Sequence, residues 1–305
     1  MAAVSDVVRP KTQRGKRAVE HREPKNVENT KTALFLRGGK TSEVVTNALK
    51  DLCLLKKPNA VMFQRKNVLR PFEDQTSLEF FSVKNDASLF HFGSHSKKRP
   101  HNLVIGRFYD GHVLDMIELG VEKFRPMKDI KTTKCAMGTK PCLLFSGQEF
   151  ENDLAHKRLK NILIDFYRGP VIQKVRLQGL EHVLQFTSVD GKIFLRSYRV
   201  SLKKSGSRTP RVEVEEMGPM LDLVMRRTHL ASDDLMKAAT KTPKALKPKT
   251  VKNVSRDAFG TKQGRVHMKR QDYSQLQTRK MKGLKRKLNT KESQKAKKIK
   301  KKKQV

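Results

Sequence analysis

SHSKKRPHNLVIGRFYDGHVLDMIELG, residues 94–120, opens on three consecutive cations and a proline and then passes into an apolar stretch that reads as core. DASLFHFGS (residues 86–94) just before it reads as a strand, and LVIGRFY (residues 103–109) as another. HVLDMIELG (residues 112–120) has the look of a short amphipathic element closed by Gly120. The cations Lys97, Lys98 and Arg99 are therefore held in a loop between two strands. Such a loop is a solvated turn, a phosphate cradle or the relic of a catalytic site, and the rest of the chain has to decide between them.

The preceding residues have the grammar of an α/β unit. ALFLRGG (residues 33–39) is a short buried strand that stops at a glycine pair. TSEVVTNALKDLCLL (residues 41–55) carries apolar residues at helical spacing behind Thr41 or Ser42 as N-cap. KKPNAVMF (residues 56–63) is a turn and then a strand, and FEDQTSLEFFSVKN (residues 72–85) a helix starting near Thr76 or Ser77, its N-terminus favoured by Glu73 and Asp74. Cys53 falls mid-helix among leucines and reads as a small core residue.

The same order then returns. CLLFSGQ (residues 142–148) repeats strand-then-glycine, and ENDLAHKRLKNILIDFYRGP (residues 151–170) repeats helix-then-proline. KIFLRSYRVSLKKSGSRTP (residues 192–210) matches DASLFHFGSHSKKRP as strand, cationic loop and proline. RVEVEEMGPMLDLVMRR (residues 211–227) matches LVIGRFYDGHVLDMIELG, aligning Gly111 with Gly218, Leu114 with Leu221 and Asp115 with Asp222. An internal duplication of an α/β unit follows from the repeated order of elements. In this alignment Lys97, Lys98 and Arg99 have counterparts in Lys203, Lys204 and Arg208, which favours a phosphate contact over a solvated turn.

Charge points the same way. The 305 residues hold 67 Lys and Arg against 30 Asp and Glu, a net charge of +37. Self-repulsion on this scale is tolerated where a polyanion neutralises it, and nucleic acid is the first such partner to consider. Residues 237–305 carry 25 Lys and Arg against 3 Asp and Glu, poor in large apolar residues and ending in KESQKAKKIKKKKQV. That composition gives a solvated, disordered tail. RPKTQRGKRAVEHREPK (residues 9–25) is a shorter basic arm. The basic ends lack the aromatic or leucine stripes of a membrane anchor, no apolar run reaches transmembrane length, and Met1–Pro10 lacks the apolar core of a secretory signal, so no membrane partner is expected. Three sparse cysteines, Cys53, Cys135 and Cys142, fit a reducing compartment and free thiols, without zinc-ligand spacing.

Catalytic signatures are not legible. GSHSKKRP lacks the second glycine and terminal Lys-Ser/Thr of a P-loop, and no G-x-G-x-x-G follows a strand. Strand alternation scatters His91, His95, His101 and His112 over two faces, Asp233 and Asp234 follow Ser232 as helix-capping residues, and no nucleophile has an adjacent base. A non-enzyme without cofactor or metal is the expectation. Aromatics are few and tryptophan is absent, and Phe90 and Phe92 on one strand face are as readily core as stacking platform, so recognition of RNA backbone and shape is favoured over base reading.

RPFEDQTSLEFFSVKNDASLFHFGSHSKKRPHNLVIGRFYDGHVLDMIELG (residues 70–120) resembles the Brix-domain proteins of ribosome assembly, as do LIDFYRGP, KKSGSRTPRVEVEEMGPMLDLVMRRTHLASDDL and FGTKQGRVHMKRQDYSQLQTRKMKGLKR. The resemblance covers nearly the whole chain. It implies an α/β Brix domain of two duplicated halves, each akin to the anticodon-binding domain of class II tRNA synthetases, with basic disordered N- and C-terminal extensions. The expected layout is a basic arm over residues 1–27, a Brix domain over 28–238 with halves of about 28–130 and 138–238, a basic extension over 239–288 and a lysine-rich tail over 289–305. The resemblance further implies a nucleolar, non-catalytic factor of the large (60S) subunit. Such a factor works as a heterodimer with the regulator of ribosome synthesis protein and recruits 5S rRNA, with its two companion ribosomal proteins, into the pre-60S particle and its pre-rRNA.

The expected RNA contacts are Lys97, Lys98, Arg99, Lys203, Lys204 and Arg208 in the loops, and Lys269, Arg270, Arg279, Lys280 and Lys282 in the extension. There Phe259, Val266, Tyr273, Leu276, Met281 and Leu284 are interleaved with cations, as a segment docking into a groove requires. Lys297, Lys298, Lys300, Lys301, Lys302 and Lys303 are candidates for nuclear targeting. SLFHFGS and KIFLRSYRVSL are candidates for edge pairing with the partner chain. The alternative from another class is a protein-only nucleolar scaffold whose charge serves import and solubility.

Overall fold

A computed structural model describes residues 10–22, 27, 29–172, 175–247, 251–266 and 268–269. The chain divides into two compact units, one ending at Lys247 and one beginning at Pro248. The first unit begins with α1 (Gln13–Arg22), an exposed helix in the basic arm. Next come β1 (Ala33–Gly38), α2 (Glu43–Lys56), β2 (Ala60–Asn67), α3 (Thr76–Asn85), β3 (Leu89–Ser94), β4 (Asn102–Tyr109) and β5 (His112–Arg125). Then follow β6 (Cys142–Ser146), α4 (Glu149–Asn152), α5 (Leu154–Tyr167), β7 (His182–Val189), β8 (Lys192–Lys203), β9 (Arg211–Glu216), β10 (Met220–His229) and α6 (Asp233–Ala239). In the second unit the described residues include a hairpin of β11 (Val254–Arg256) and β12 (Lys262–Gly264).

Strands β1–β10 form one mixed sheet in the order β2-β1-β3-β4-β5-β10-β8-β7-β6, with β9 also on β8. β1 is parallel to β2 and β3, after which β3, β4 and β5 are antiparallel neighbours. From the other edge, β6 is parallel to β7, after which β7, β8 and β10 are antiparallel neighbours. Both halves thus follow strand, helix, parallel strand and two antiparallel strands, and they meet where β5 pairs antiparallel with β10.

The alignment of Asp115 with Asp222 holds in three dimensions: Arg107 on β4 donates to Asp115 (2.8 and 2.5 Å), and Arg196 on β8 donates to Asp222 (2.6 Å). Two sequence expectations change. HVLDMIELG is not a short element closed by Gly120 but most of β5, which runs on to Arg125. Residues 182–189, read as no element, are β7, which takes the place of β3, so KIFLRSYRV takes the place of β4. Hence SLFHFGS (β3) and KIFLRSYRVSL (β8) are interior strands, paired on both sides and closed to a partner's strand.

Local chemistry explains the helices that cover the sheet. Ser42 caps α2 by accepting from Val45 N–H, with Glu43 in the first turn and Lys56 in the last. Asp74 Oδ1 accepts from Thr76 N–H at 2.9 Å ahead of α3, whereas Glu73 pairs with Arg70 instead. Ser232 accepts from Leu235 N–H, with Asp233 and Asp234 in the first turn of α6. α2 and α5 bury one continuous core of Phe35, Leu49, Leu52, Ile105, Ile117, Leu159, Ile162, Phe166, Phe186 and Leu221, shared by both halves. Each such side chain contributes about 1.5–3 kcal/mol on burial. On the opposite face α3 covers a second core of Leu34, Leu36, Leu78, Phe90, Phe92, Val104 and Met116, confined to the first half. Phe90 and Phe92 are therefore packing residues. Cys53 is buried in the shared core.

Candidate nucleic-acid interface

The cationic loop between β3 and β4 is a built structure. Ser96 N–H donates to Arg99 O (3.1 Å) and Arg99 N–H to Ser96 O (3.2 Å), a closed turn with Lys97 and Lys98 at its two central positions. Both lysines are exposed, and neither has an ion-pair partner among the described residues. The turn is tied down on one side by histidines: His101 N–H donates to His95 Nδ1 (3.1 Å), His101 Nδ1 lies 2.8 Å from Ser42 Oγ, and the two rings are 5.0 Å apart. The helix-capping serine thus also fixes the loop.

On the other side Arg226, from β10 of the second half, donates to Pro100 O (2.9 Å) and Asn102 Oδ1 (3.1 Å). Its guanidinium lies over Gly120, where a Cβ would come within 2.5 Å of it. Gly120 serves to admit that arginine, not to end an element.

Beneath the loop lies a cleft of about 310 Å³ between the loop and the segment at residues 69–73. Glu118 stands in it, 1% exposed, accepting from Arg227 and from Asn102 (2.7 Å), with Arg99 at 3.8 Å. Burial alone would raise this carboxyl, but the hydrogen bonds from Arg227 and Asn102 and the charges of Arg227 and Arg99 outweigh it and hold it below the usual range. Arg227 in turn lies 4.2 Å above the Phe72 ring. Glu118 therefore offsets the charge of Arg227, and the outward charge of the loop rests on Lys97 and Lys98 with the half-exposed Arg99 beside them.

The second predicted loop behaves differently. Lys203 pairs with Glu213 (2.5 Å), which also takes Arg211 (3.3 Å), so its charge is spent locally. Lys204 and Arg208 are exposed, and hydrogen bonds among Ser205, Ser207 and Thr209 shape the loop between them. This loop joins β8 to β9, so it corresponds to the Asp110-Gly111 turn and not to the Lys97–Arg99 loop, and the proposed equivalence of the two cationic loops is overturned. Strand directions nevertheless place both at the same end of the sheet. Asn102, Gly120, Val224 and Lys192 form one cross-strand row. Lys203 lies eleven residues beyond that row along β8, roughly 35 Å at strand rise.

Lys269 is exposed. Arg270, Arg279, Lys280, Lys282, Tyr273, Leu276, Met281, Leu284 and the tail lysines Lys297, Lys298, Lys300, Lys301, Lys302 and Lys303 lie outside the described residues. The sequence reading missed Ser42, His95, His101 and Arg226 as the supports of the loop. No local signal could have found Arg226, because its contacts span more than a hundred residues.

A Brix domain profile matches residues 38–227. The chain is 63% identical over 265 residues to the ribosome production factor 2 homolog of Mus musculus, covering 87% of each chain. It is 61% identical over 264 residues to the Homo sapiens homolog of the same name, covering 87% of this chain and 86% of that one. A solved structure described as a probable ribosomal biogenesis protein from Aeropyrum pernix K1 matches with a TM-score of 0.42 at 11% identity, over 66% of this chain and 99% of that one.

Proposed function

The chain belongs to the Brix-domain family and its role is in ribosome biogenesis, and from that premise we propose that it is an RNA-binding assembly factor of the large subunit, acting in the nucleolus without catalysis. In this reading it grips 5S rRNA and large-subunit pre-rRNA by their phosphates. As a heterodimer with the regulator of ribosome synthesis protein, it brings the 5S rRNA and its two ribosomal proteins to the pre-60S particle. The observation that carries the RNA reading is the closed turn at Ser96–Arg99: it holds two unpaired lysines outward on supports from both halves of the sheet. A solvated turn has no need of such anchoring, whereas a phosphate contact gains from cations already fixed in place.

The test is a binding titration of the full chain against 5S rRNA and pre-rRNA fragments at rising salt. Each lost phosphate contact removes about 0.7–0.9 from the log–log salt slope. Lys97→Glu with Lys98→Glu should therefore weaken binding and flatten the slope by about 1.5. Unchanged affinity and slope would remove the loop from the interface, and absence of wild-type affinity at low salt would overturn the RNA reading altogether.

A further inference from the structure

The β11–β12 hairpin is a second, differently built cationic feature. Asp257 N–H donates to Thr261 O (3.0 Å), Gly260 N–H to Asp257 O (2.8 Å) and Ala258 N–H to Asp257 Oδ1 (2.7 Å), with Gly260 at φ +80°. Aspartate at the first position and glycine at the fourth are the residues such a turn selects. The turn leaves Phe259 at its tip 94% exposed.

Along the strands, Arg256 stands directly opposite Lys262, Ser255 opposite Gln263 and Val254 opposite Gly264. Like charges across a strand pair repel, and neither face carries an apolar set that burial could stabilise. The side chains of both strands are exposed, and a two-stranded hairpin without a covered face is marginal in water. An anion between the two cations and a flat partner for the aromatic ring would remove both penalties at once.

We infer that this hairpin is an RNA-binding finger, with Phe259 stacking on an unpaired base and Arg256 and Lys262 meeting the flanking phosphates. Unpaired RNA supplies a π-face and phosphates at adjacent positions. A protein groove fits less well, because Phe259 stands apart at the tip while the other exposed apolar side chains, Val251, Val254, Val266 and Met268, lie at or beyond the open end of the hairpin, and residues 237–305 carry 25 Lys and Arg against 3 Asp and Glu. The inference rests on the RNA reading above and adds what that reading lacks, a contact that distinguishes unpaired from duplex RNA.

The experiment compares the full-length wild type with Phe259→Ala and Phe259→Tyr on two RNAs of equal length and charge, one a stem with a loop holding 2-aminopurine, the other fully duplex. Phe259→Ala should lose about five-fold or more in affinity for the looped RNA, together with the 2-aminopurine fluorescence change, while its duplex affinity and salt slope stay as in the wild type. Phe259→Tyr should match the wild type. Arg256→Gln with Lys262→Gln should flatten the salt slope on the looped RNA by about 1.5.

Phe259→Ala binding the looped RNA as the wild type does, while Lys97→Glu with Lys98→Glu weakens it, would discard the finger and keep the RNA reading. That outcome points to a protein as the hairpin's occupant. Equal losses on both RNAs would also discard base stacking. Wild-type protein that binds neither RNA would sink the inference and the parent reading together.

Discussion

His91 stacks on Phe35 and packs tilted against Phe166, with ring centroids 5.2 and 4.6 Å away, and its two buried ring nitrogens have no hydrogen-bond partner among the described residues. Burial pushes it down to about 3, and burial, only partly opposed by a hydrogen bond with Thr139, pushes His182 down to about 4. Both are neutral in the folded chain at neutral pH, whereas in the unfolded chain they take up protons near pH 6.5. The unfolded state therefore binds more protons as pH falls below 6.5. The stability these groups contribute is complete above that pH and is lost toward pH 4, by up to about 1.4 kcal/mol per pH unit for each histidine. Urea unfolding from pH 7.5 to 4.5 should show this fall. His91→Phe keeps the ring stack, removes two unsatisfied polar atoms and should roughly halve the pH slope, with stability at pH 7 equal or higher. A slope the same as in the wild type would show that His91 is not the titrating group.

The loop between β3 and β4 depends on elements that no reading of residues 94–120 alone could join to it. Gly120→Ala tests the dependence without altering charge. The three atoms nearest the added methyl all belong to the end of the Arg226 side chain, so the fold should lose less than about 1 kcal/mol, since flexible surface groups shift cheaply. The displaced guanidinium would release Pro100 and Asn102, and RNA affinity should fall as it does in Arg226→Met. Full stability with wild-type RNA affinity would show that the latch is unnecessary.

At this scale the sequence was legible wherever one period dominated. α2, α3 and α5 follow from apolar spacing and caps, and β1, β3, β4 and β6 from short apolar runs. β5 reads as short because Gly120 looks like a terminator, whereas it admits Arg226 within a strand that runs on to Arg125. Asp115 and Glu118 are buried carboxylates of that strand, matched to Arg107 and Arg227. The loop equivalence failed because the cation-loop-proline pattern recurs one strand later in the second half. Local composition cannot report which strand a loop follows.

For the first unit as a whole, the two halves share one core and one sheet, so the repeat does not make two independent folding units. β5 pairs with β10 from Arg125 with Met220 to Met116 with His229. Lys56 on α2 donates to Phe166 O on α5 (2.5 Å). Asp165 on α5 takes Arg107 of β4 (2.7 Å) and Lys31 ahead of β1 (3.2 Å). A fragment limited to residues 28–130 would expose Ile105, Ile117 and Leu119, which the shared core buries. Cooperative unfolding of both halves follows from this arrangement.

Asp165→Ala removes the carboxylate that links them. Because Asp165 is 24% exposed and Arg107 keeps Asp115, the loss should fall at or below the lower end for a buried pair, about 2–3 kcal/mol. It should fall equally on both halves: amide exchange in β4 and in β7 should accelerate by the same factor, and circular dichroism should show one urea transition before and after. Faster exchange in β7 alone, or a transition that splits, would mean that the halves unfold separately and that the shared core does not couple them.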